Sequence, residues 1–370
     1  MNRIAKLCLV GLTLLAPACY DFPDKVVFPD PDASSSVRDN GAGKATFLSR
    51  NLYVGADVDA VIYALATPDP SDDLAALQTA VQQVNQTDWP ARARAIAREI
   101  ARERPHAVGL QEVSKLDLDL SALGMPVNYH ADFLPTLLAE LSARELNYIV
   151  AAQVKNIVAR PFPGVSLVDW DAVLIDADRV TVTGTPFGKR FSYNIGVVAP
   201  GVTLARGFVR VEATINGQSW TILSTHLESG SQPGLDQLRA AQMTELAAYL
   251  PATGPAVVMG DFNDTPGSLM YQVAAGAGLT DAWAAIHGAE PGNTCCHKSN
   301  LSNERSKMGS RIDYIMARGT GLGDGGELGQ MRMLGIRPSE RIAGPNHPIW
   351  PSDHAGLTAT LRNPVAPGQN

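Results

Sequence analysis

Asp261 and Asn263 are the residues of this chain whose types and spacing most clearly suggest chemistry. They follow the apolar run 256–259, which predicts a fully buried strand. Residues two apart on extended backbone point to the same side, so this carboxylate and this carboxamide could contact one ligand together. An ordinary Asp/Asn/Gly turn is the alternative interpretation of the same letters.

Five further segments place a polar residue at one end of an apolar strand. These residues are Asn51, Glu112 and His226 at strand ends, Asp313 at a strand start, and Asp353 and His354 just before the last strand. Side chains of these types bind metal ions or phosphate groups. Each motif alone is weak, but the ordered set Asn, Glu, His, Asp-x-Asn, Asp, Asp-His resembles the endonuclease/exonuclease/phosphatase superfamily over about residues 44–362. That superfamily includes type I deoxyribonucleases, abasic-site endonucleases, neutral sphingomyelinases and inositol polyphosphate 5-phosphatases.

The resemblance implies an α/β (α+β) fold, a four-layer α/β/β/α sandwich of two packed mixed sheets with helices outside. Local patterns agree, because helical segments at 89–105, 131–145 and 235–250 alternate with strands. Asn216-Gly217 predicts a hairpin between two of those strands. The implied activity is that of a metal-dependent phosphoesterase, which hydrolyses phosphodiester or phosphomonoester bonds by metal-assisted attack of water.

Glu112 is the best candidate metal ligand, and Asn51 and Asp261 are expected to complete the metal and phosphate environment. The expected ion is Mg²⁺, with Mn²⁺ or Ca²⁺ as alternatives, because hard divalent ions prefer carboxylate and other oxygen ligands. Since Glu112 follows the apolar residues 107–110, we expect it at a strand end, and a helix cap or surface position is the alternative. Asp353 is a further catalytic candidate.

Two histidines could divide the acid–base work. The resemblance implies that His354 pairs with Asp313, which would fix its tautomer, and that His226 contacts the phosphoryl oxygens or protonates the leaving group. Asp261 and Asn263 would then position the attacking water and the transition state. The sequence leaves open which histidine is the base and which is the acid.

Composition bears on the substrate. The net charge is −7 with both signs scattered, whereas nucleic-acid-binding domains usually show a basic face. A local basic groove remains compatible with this charge, and Arg305, Lys307 and Arg311 could supply it, so we favour a nuclease or general phosphodiesterase. A sphingomyelinase-like phospholipid phosphodiesterase is the alternative, for which only Trp350 is well placed, and Trp350 could equally be a core residue. A non-catalytic binding module on the same fold is the second alternative. We expect a monomer.

The N-terminal residues resemble a targeting segment. A short positive region precedes the apolar stretch 7–16, which is too short to span a membrane permanently. Cys19 follows a small-x-small pattern and resembles the lipidated cysteine of a bacterial lipoprotein, with ordinary secretory cleavage as the alternative. We therefore expect an exported, membrane-anchored protein of a bacterial cell envelope. The predicted division is a signal peptide at 1–18, the anchor cysteine and a flexible tether at 19–43, the catalytic domain at 44–362 and a C-terminal tail at 363–370.

Export would place the adjacent Cys295 and Cys296 in an oxidising compartment. They could form a vicinal disulfide, stay as thiols or bind a metal together with His297. Zinc sites separate their cysteines by two or more residues. A structural loop feature is therefore the favoured interpretation.

Overall fold

The computed structural model describes residues 44–322 and 329–362. The predicted signal peptide at 1–18, the anchor cysteine and tether at 19–43 and the tail at 363–370 lie outside these ranges. No helix in the described ranges is long and apolar enough to cross a membrane.

Fifteen strands lie within the described ranges. In chain order they are β1 Lys44–Asn51, β2 Ala107–Asp119, β3 Asn128–Asp132, β4 Tyr148–Ala159, β5 Val165–Asp176, β6 Val180–Arg190, β7 Gly196–Ala199, β8 Val202–Leu204, β9 Gly207–Ile215, β10 Gln218–His226, β11 Ala256–Asp261, β12 Thr280–Asp281, β13 Asp313–Arg318, β14 Gln330–Leu334 and β15 Gly356–Arg362.

Seven α-helices and two short 3₁₀ turns connect these strands. The helices are α1 Val58–Leu65, α2 Pro70–Thr87, α3 Trp89–Glu103, α4 Phe133–Ser142, α5 Leu235–Ala247, α6 Leu269–Gly276 and α7 Ala282–His287, and the 3₁₀ turns are Ser121–Leu123 and Pro338–Glu340.

The strands form two mixed sheets. The first has the order β14-β15-β1-β2-β5-β4-β8-β7, with β3 paired to β2, and the second has the order β12-β13-β11-β10-β9-β6. Within each sheet one pair is parallel, β1 with β2 and β10 with β11. Parallel neighbours end at the same edge of a sheet, so His226 and Asp261, at the carboxyl ends of β10 and β11, share an edge.

Alternation along β11 shows how the layers pack. Val257 and Met259 face the first sheet and join a core that includes Phe47 of β1, whereas Val258 faces outward. This period of two gives one strand two buried faces. All six residues of β11 are buried, as the apolar run predicts.

Helices cover the two outer faces. Ile96 of α3 packs against Val108 of β2 on the first sheet. Met243 of α5 packs with Val258 of β11 on the second. The layers are therefore helix, sheet, sheet and helix, which confirms the predicted four-layer sandwich.

Local sequence signals account for the best-predicted elements. The Asp88 side chain accepts a hydrogen bond from the Ala91 N–H at 3.1 Å and so caps α3. Asn216 and Gly217 have φ values of 51° and 78°, as a tight two-residue hairpin requires. Helices α1 and α2, between β1 and α3, were not predicted.

Candidate active site

The strand ends place six predicted residues at one edge of the sandwich. Strands β1, β10 and β11 end there, and the antiparallel strands β13 and β15 begin there. The residues at or next to these ends are Asn51, His226, Asp261, Asp313, Asp353 and His354.

Glu112 reaches the same cleft by a different route. The expectation that it ends its strand is wrong, because β2 continues to Asp119. Glu112 lies at a β-bulge, with φ 54° and a register shift between Leu110 and Val113. A bulge inserts an extra residue and redirects its side chain, and here it turns the Glu112 carboxylate toward Asn51.

Asn51 holds two carboxylates from opposite sheets. Its Nδ2 donates to Glu112 Oε1 at 2.9 Å and to Asp261 Oδ2 at 3.1 Å. Its Oδ1 accepts the Tyr53 N–H at 2.9 Å, and the Val54 N–H donates to Glu112 Oε2 at 2.7 Å. Asn51 therefore presents its amide nitrogen to these two carboxylates and orients the candidate metal ligands.

Asp261 and Asn263 share the cleft through a turn. The expectation of extended backbone between them is wrong, because Asn263 has φ 52°. The Asn263 N–H donates to Asp261 Oδ1 at 2.9 Å, and its Nδ2 donates to the Leu227 carbonyl at 3.0 Å. This Asx-turn fixes both side chains at the end of β11.

Gly260 allows β10 and β11 to approach closely just before Asp261. Its φ is 150°, and a Cβ atom there would lie 1.9 Å from the Thr225 carbonyl oxygen. Only glycine fits this position without displacing the backbone.

His354 and Asp313 form the tightest acid–base contact of the site. His354 Nδ1 lies 2.8 Å from Asp313 Oδ2 and 3.8 Å from Asp261 Oδ2. Burial alone would lower the pKa of His354, but the carboxylates of Asp313, Asp353 and Asp261 reverse this effect and raise it well above its usual value. The charges of these carboxylates therefore favour the protonated form of His354.

Asp353 lies beside His354 and lines the cleft. Burial raises the pKa of Asp353 to about 6; His354 opposes this shift and Glu112 adds to it. The Asp353 carbonyl accepts the His297 N–H at 2.8 Å.

His226 has the opposite electrostatic character. Its Nε2 lies 3.6 Å from Asp261 Oδ2, and its Nδ1 has no hydrogen-bond partner among the described residues. Burial, followed by the charges of Arg206 and His354, lowers the pKa of His226 well below its usual value. A neutral imidazole suits contact with phosphoryl oxygens better than protonation of a leaving group.

Arg206 is a functional candidate that the sequence analysis missed. It is 4% exposed and lines the cleft. It donates from Nε to Glu228 Oε1 at 3.3 Å, while its Nη1 has no partner among the described residues. The predicted hairpin could have located it, because a two-residue turn at 216–217 places Gly207 opposite His226.

The substrate contacts suggested from sequence do not line the cleft. Arg305 and Lys307 are exposed elsewhere, and Arg311 is buried in an ion pair with Asp281. Trp350 is fully buried and stacks on His297 with ring centroids 4.2 Å apart. Arg305, Lys307 and Arg311 therefore do not give this cleft a basic lining, and Trp350 is a core residue.

Cys295 and Cys296 lie in the cleft wall, and their sulfur atoms are bonded to each other. The neighbouring histidine is His354, whose Nε2 lies 3.8 Å from Cys296 Sγ. His297 instead contacts Asn303 through its Nδ1 at 2.9 Å. A metal site formed by the two cysteines and His297 is therefore not supported, because the histidine next to the sulfur atoms is His354.

Comparisons with known proteins decide the family. A sequence model of the endonuclease/exonuclease/phosphatase family matches residues 81–354, which is most of the chain. The chain belongs to this family. A comparison with curated proteins gave no match.

Solved structures share the endonuclease/exonuclease/phosphatase fold. A family protein from Beutenbergia cavernae DSM 12333 is 18% identical, covers 88% of this chain and 73% of its own, and has a TM-score of 0.56. D. rerio TDP2 complexed with single strand DNA product is 16% identical, with 86% and 99% covered and a TM-score of 0.50. A family protein from Leptotrichia buccalis C-1013-b is 16% identical, with the same coverage and a TM-score of 0.51. At these identities the likeness establishes the fold.

The cleft of this family member encloses about 390 Å³, within the usual range for small-ligand sites. Among the described residues that line it, carboxylates outnumber the one arginine, Arg206. These carboxylates are Asp57, Asp59, Glu112, Asp169, Asp261 and Asp353. Burial, followed by the Asp313 charge, raises the pKa of Asp261 to about 7. Such crowding of negative charge favours a bound cation.

The donor set fits a hard divalent cation. Glu112 and Asp261 offer carboxylate oxygens that are already held in place by Asn51. Oxygen ligands suit Mg²⁺, Mn²⁺ and Ca²⁺, and few of them are needed when substrate and water supply the rest.

Proposed function

We propose that this protein is a divalent-metal-dependent phosphodiesterase that cleaves its substrate by attack of water. Membership of the endonuclease/exonuclease/phosphatase family supports a phosphoesterase. The observation that carries the proposal is the convergence of the Asp313–His354 pair, Asp261 and Glu112 in one cleft.

Glu112 and Asp261 would hold the cation, with Asn51 orienting both carboxylates. When bound, a divalent cation supplies Lewis-acid polarisation of the phosphoryl group and offsets its negative charge. Such compensation is needed here, because an anionic substrate must enter a cleft that is rich in carboxylates.

The side chains divide the remaining work. Asp261 and Asn263 position the attacking water and the transition state. His354 carries a proton at Nε2 for the leaving oxygen, while Asp313 fixes the ring through Nδ1. Neutral His226 and the free Nη1 of Arg206 contact the phosphoryl oxygens, where the charge develops in the transition state.

We propose nucleic acid as the first substrate class. The structural neighbour from D. rerio was solved with a single strand DNA product, which supports DNA as a substrate to assay. The acidic cleft opposes tight binding without metal. The protein should therefore show strong dependence of both binding and hydrolysis on the cation.

A lipid phosphodiester is the second candidate, and one observation favours it. Tyr193 and Val197 are 62% and 75% exposed. Between them Asn194 accepts the Arg206 N–H at 2.6 Å, so this apolar surface lies next to a cleft residue. An apolar rim would suit a substrate that lies in a lipid surface.

A substrate panel tests the proposal. Purified protein is assayed with Mg²⁺ or with chelator against plasmid DNA, single-stranded DNA, RNA, sphingomyelin vesicles and bis(p-nitrophenyl) phosphate. We expect chelator-sensitive hydrolysis of the diester and of DNA. Preference for the vesicles, with loss after Tyr193→Ser and Val197→Ser, would instead establish the lipid candidate. Hydrolysis that persists in chelator would contradict the metal-dependent mechanism.

We also propose that the enzyme is exported and anchored through a lipid on Cys19. The sequence of residues 1–43 supports this proposal. An anchored enzyme would act on phosphoesters outside the cytoplasm.

A further inference from the structure

The bonded sulfur atoms of Cys295 and Cys296 lie beside the Nε2 atom of His354. Cys296 Sγ is 3.8 Å from His354 Nε2. Nδ1 of the same ring is committed to Asp313 at 2.8 Å. Nε2 is therefore the ring nitrogen available to a ligand, and the cysteine pair is its immediate neighbour.

Backbone hydrogen bonds fix this arrangement on both sides of the cysteine pair. The Ala355 N–H donates to the Thr294 carbonyl at 2.8 Å, and the His297 N–H donates to the Asp353 carbonyl at 2.8 Å. The residues that flank the cysteines are thus hydrogen-bonded to the residues that flank His354. The backbone of the cysteine pair is therefore held beside the imidazole.

We propose that, once reduced, Cys295, Cys296 and Nε2 of His354 form a binding site for a soft divalent cation of the Zn²⁺ type. Their ligand atoms all lie within 4.8 Å of one another. Two thiolates and one imidazole are ligands that Zn²⁺ prefers, and three protein ligands leave a position for water. Adjacent cysteines depart from the usual zinc spacing, and the proposal rests instead on the proximity of their sulfur atoms to His354 Nε2. Glu112 and Asp261 offer only oxygen, which suits harder ions.

Reduction of the Cys295–Cys296 bond makes both sulfur atoms available as ligands. A dithiol reductant gives two electrons and two protons to the Cys295–Cys296 bond, which breaks to two thiols while the reductant becomes a disulfide. Zn²⁺ then displaces three protons to solvent, one from each thiol and one from Nε2 of His354, and takes the lone pair that this leaves on Nε2. The disulfide form offers no thiolate and does not bind Zn²⁺ in this way.

Capture of Nε2 would stop hydrolysis, because the proton that His354 carries for the leaving oxygen is lost. This consequence rests on the proposed function, whereas the binding of Zn²⁺ does not. Reduced enzyme should therefore be sensitive to Zn²⁺, and oxidised enzyme should be resistant.

The binding arm of the test uses the full chain, oxidised or reduced and then freed of reductant without air. Equilibrium dialysis measures bound Zn²⁺, and Co²⁺ serves as an optical probe of thiolate ligation. We expect one more Zn²⁺ per chain in the reduced protein than in the oxidised protein, and a cobalt–thiolate absorption band. Both should be lost in Cys296→Ser and in the Cys295→Ser, Cys296→Ser double variant. All samples carry Cys8→Ser and Cys19→Ser, so only Cys295 and Cys296 change between the oxidised and the reduced protein.

The activity arm measures diester hydrolysis in excess Mg²⁺ with one added equivalent of Zn²⁺. We expect at least a tenfold loss in reduced wild-type protein and less than twofold in the oxidised protein and the serine variants. Equal Zn²⁺ binding by reduced wild type and Cys296→Ser would overturn the proposal, and so would one extra bound Zn²⁺ that leaves an active enzyme uninhibited. Extra Zn²⁺ bound by a protein that hydrolyses nothing would uphold the site and contradict the proposed function instead.

Discussion

Asp261 and Asp313 are cross-strand partners in the β11–β13 pair, and both carboxylates approach Nδ1 of the same imidazole, His354, at 3.8 and 2.8 Å. Two adjacent strands thus place two carboxylates beside one imidazole. This arrangement explains why the cleft combines a protonated histidine with an aspartic acid of raised pKa. It also makes the activity depend on the register of these strands.

Glu112→Gln should weaken the response to metal without unfolding the protein, since it removes a charge while keeping the side-chain volume. We expect the Mg²⁺ concentration for half-maximal activity to rise by about tenfold or more, in line with the ~10–100-fold cost of changes around metal sites. A Mg²⁺ titration of diester hydrolysis measures this. Glu304→Gln, at an exposed position outside the cleft, is the matched control. Superimposable titrations for wild type and Glu112→Gln would remove Glu112 from the ligand set.

Gly260→Ala should both destabilise the protein and reduce its activity. The new Cβ would meet the Thr225 carbonyl oxygen at 1.9 Å, so β10 and β11 must separate beside His226 and Asp261. We expect a loss of about 1–3 kcal/mol in unfolding free energy, measured by denaturant titration.

The matched control is Gly276→Ala in α6, where a Cβ meets nothing within 4 Å and φ is not positive. Alanine favours a helix over glycine, so this variant should keep or slightly raise stability. Equal stability of the two variants would show that the close approach at Gly260 is not a constraint.

His106 should make the fold sensitive to acid. It lies under β1, with Nδ1 accepting the Thr46 N–H at 3.0 Å and the Arg179 guanidinium 2.7 Å from Nε2. Burial, followed by the Arg179 charge, lowers the pKa of His106 to about 4. Because the unfolded chain, with a pKa near 6.5, binds the proton more readily, stability is lost as the pH falls from about 6.5 to about 4.

The measurement is the unfolding free energy of wild type and His106→Gln at several pH values. Wild type should lose up to about 3 kcal/mol more than the variant over this interval. His130→Gln, at an exposed histidine, is the matched control for loss of a histidine. Parallel curves for wild type and His106→Gln would refute this account of the acid sensitivity.

Cys19→Ala should release the protein from membranes into the soluble exported fraction, because it removes the proposed lipid attachment site. Fractionation of cells that express each form, followed by immunoblotting, checks the distribution. The alanine is small enough to preserve ordinary secretory cleavage after the Ala16-Pro17-Ala18 segment. A variant that stays with the membrane would show that the anchor lies elsewhere.

Much of the site could be predicted because its residues lie at strand ends. Apolar runs locate the ends of β1, β10 and β11, and the order of the motifs indicates that they share an edge. Position along a strand does not specify a bulge, so the sequence suggested a strand end at Glu112 instead of a left-handed residue in the middle of β2.

Other features depend on contacts between distant segments. The Tyr53 N–H donates to the Asn51 side-chain oxygen, and this contact decides that the Asn51 amide nitrogen faces the carboxylates. The approach of Cys296 to His354 joins loops 58 residues apart and follows from no local pattern. Arg206 differs, since hairpin register alone could have placed it near His226.

The central claim is that Asp261 and His354 act on one phosphate as a unit, and a double-mutant cycle of kcat/KM for diester hydrolysis tests it most directly. Asp261→Ala and His354→Ala should each lose most of the rate, since oriented acid–base groups contribute ~10²–10⁴-fold. Near-wild-type circular dichroism and thermal melts establish that the variants are folded. The account predicts that the double variant is about as impaired as the worse single variant, because groups that act together are non-additive. Defects that simply multiply would contradict it.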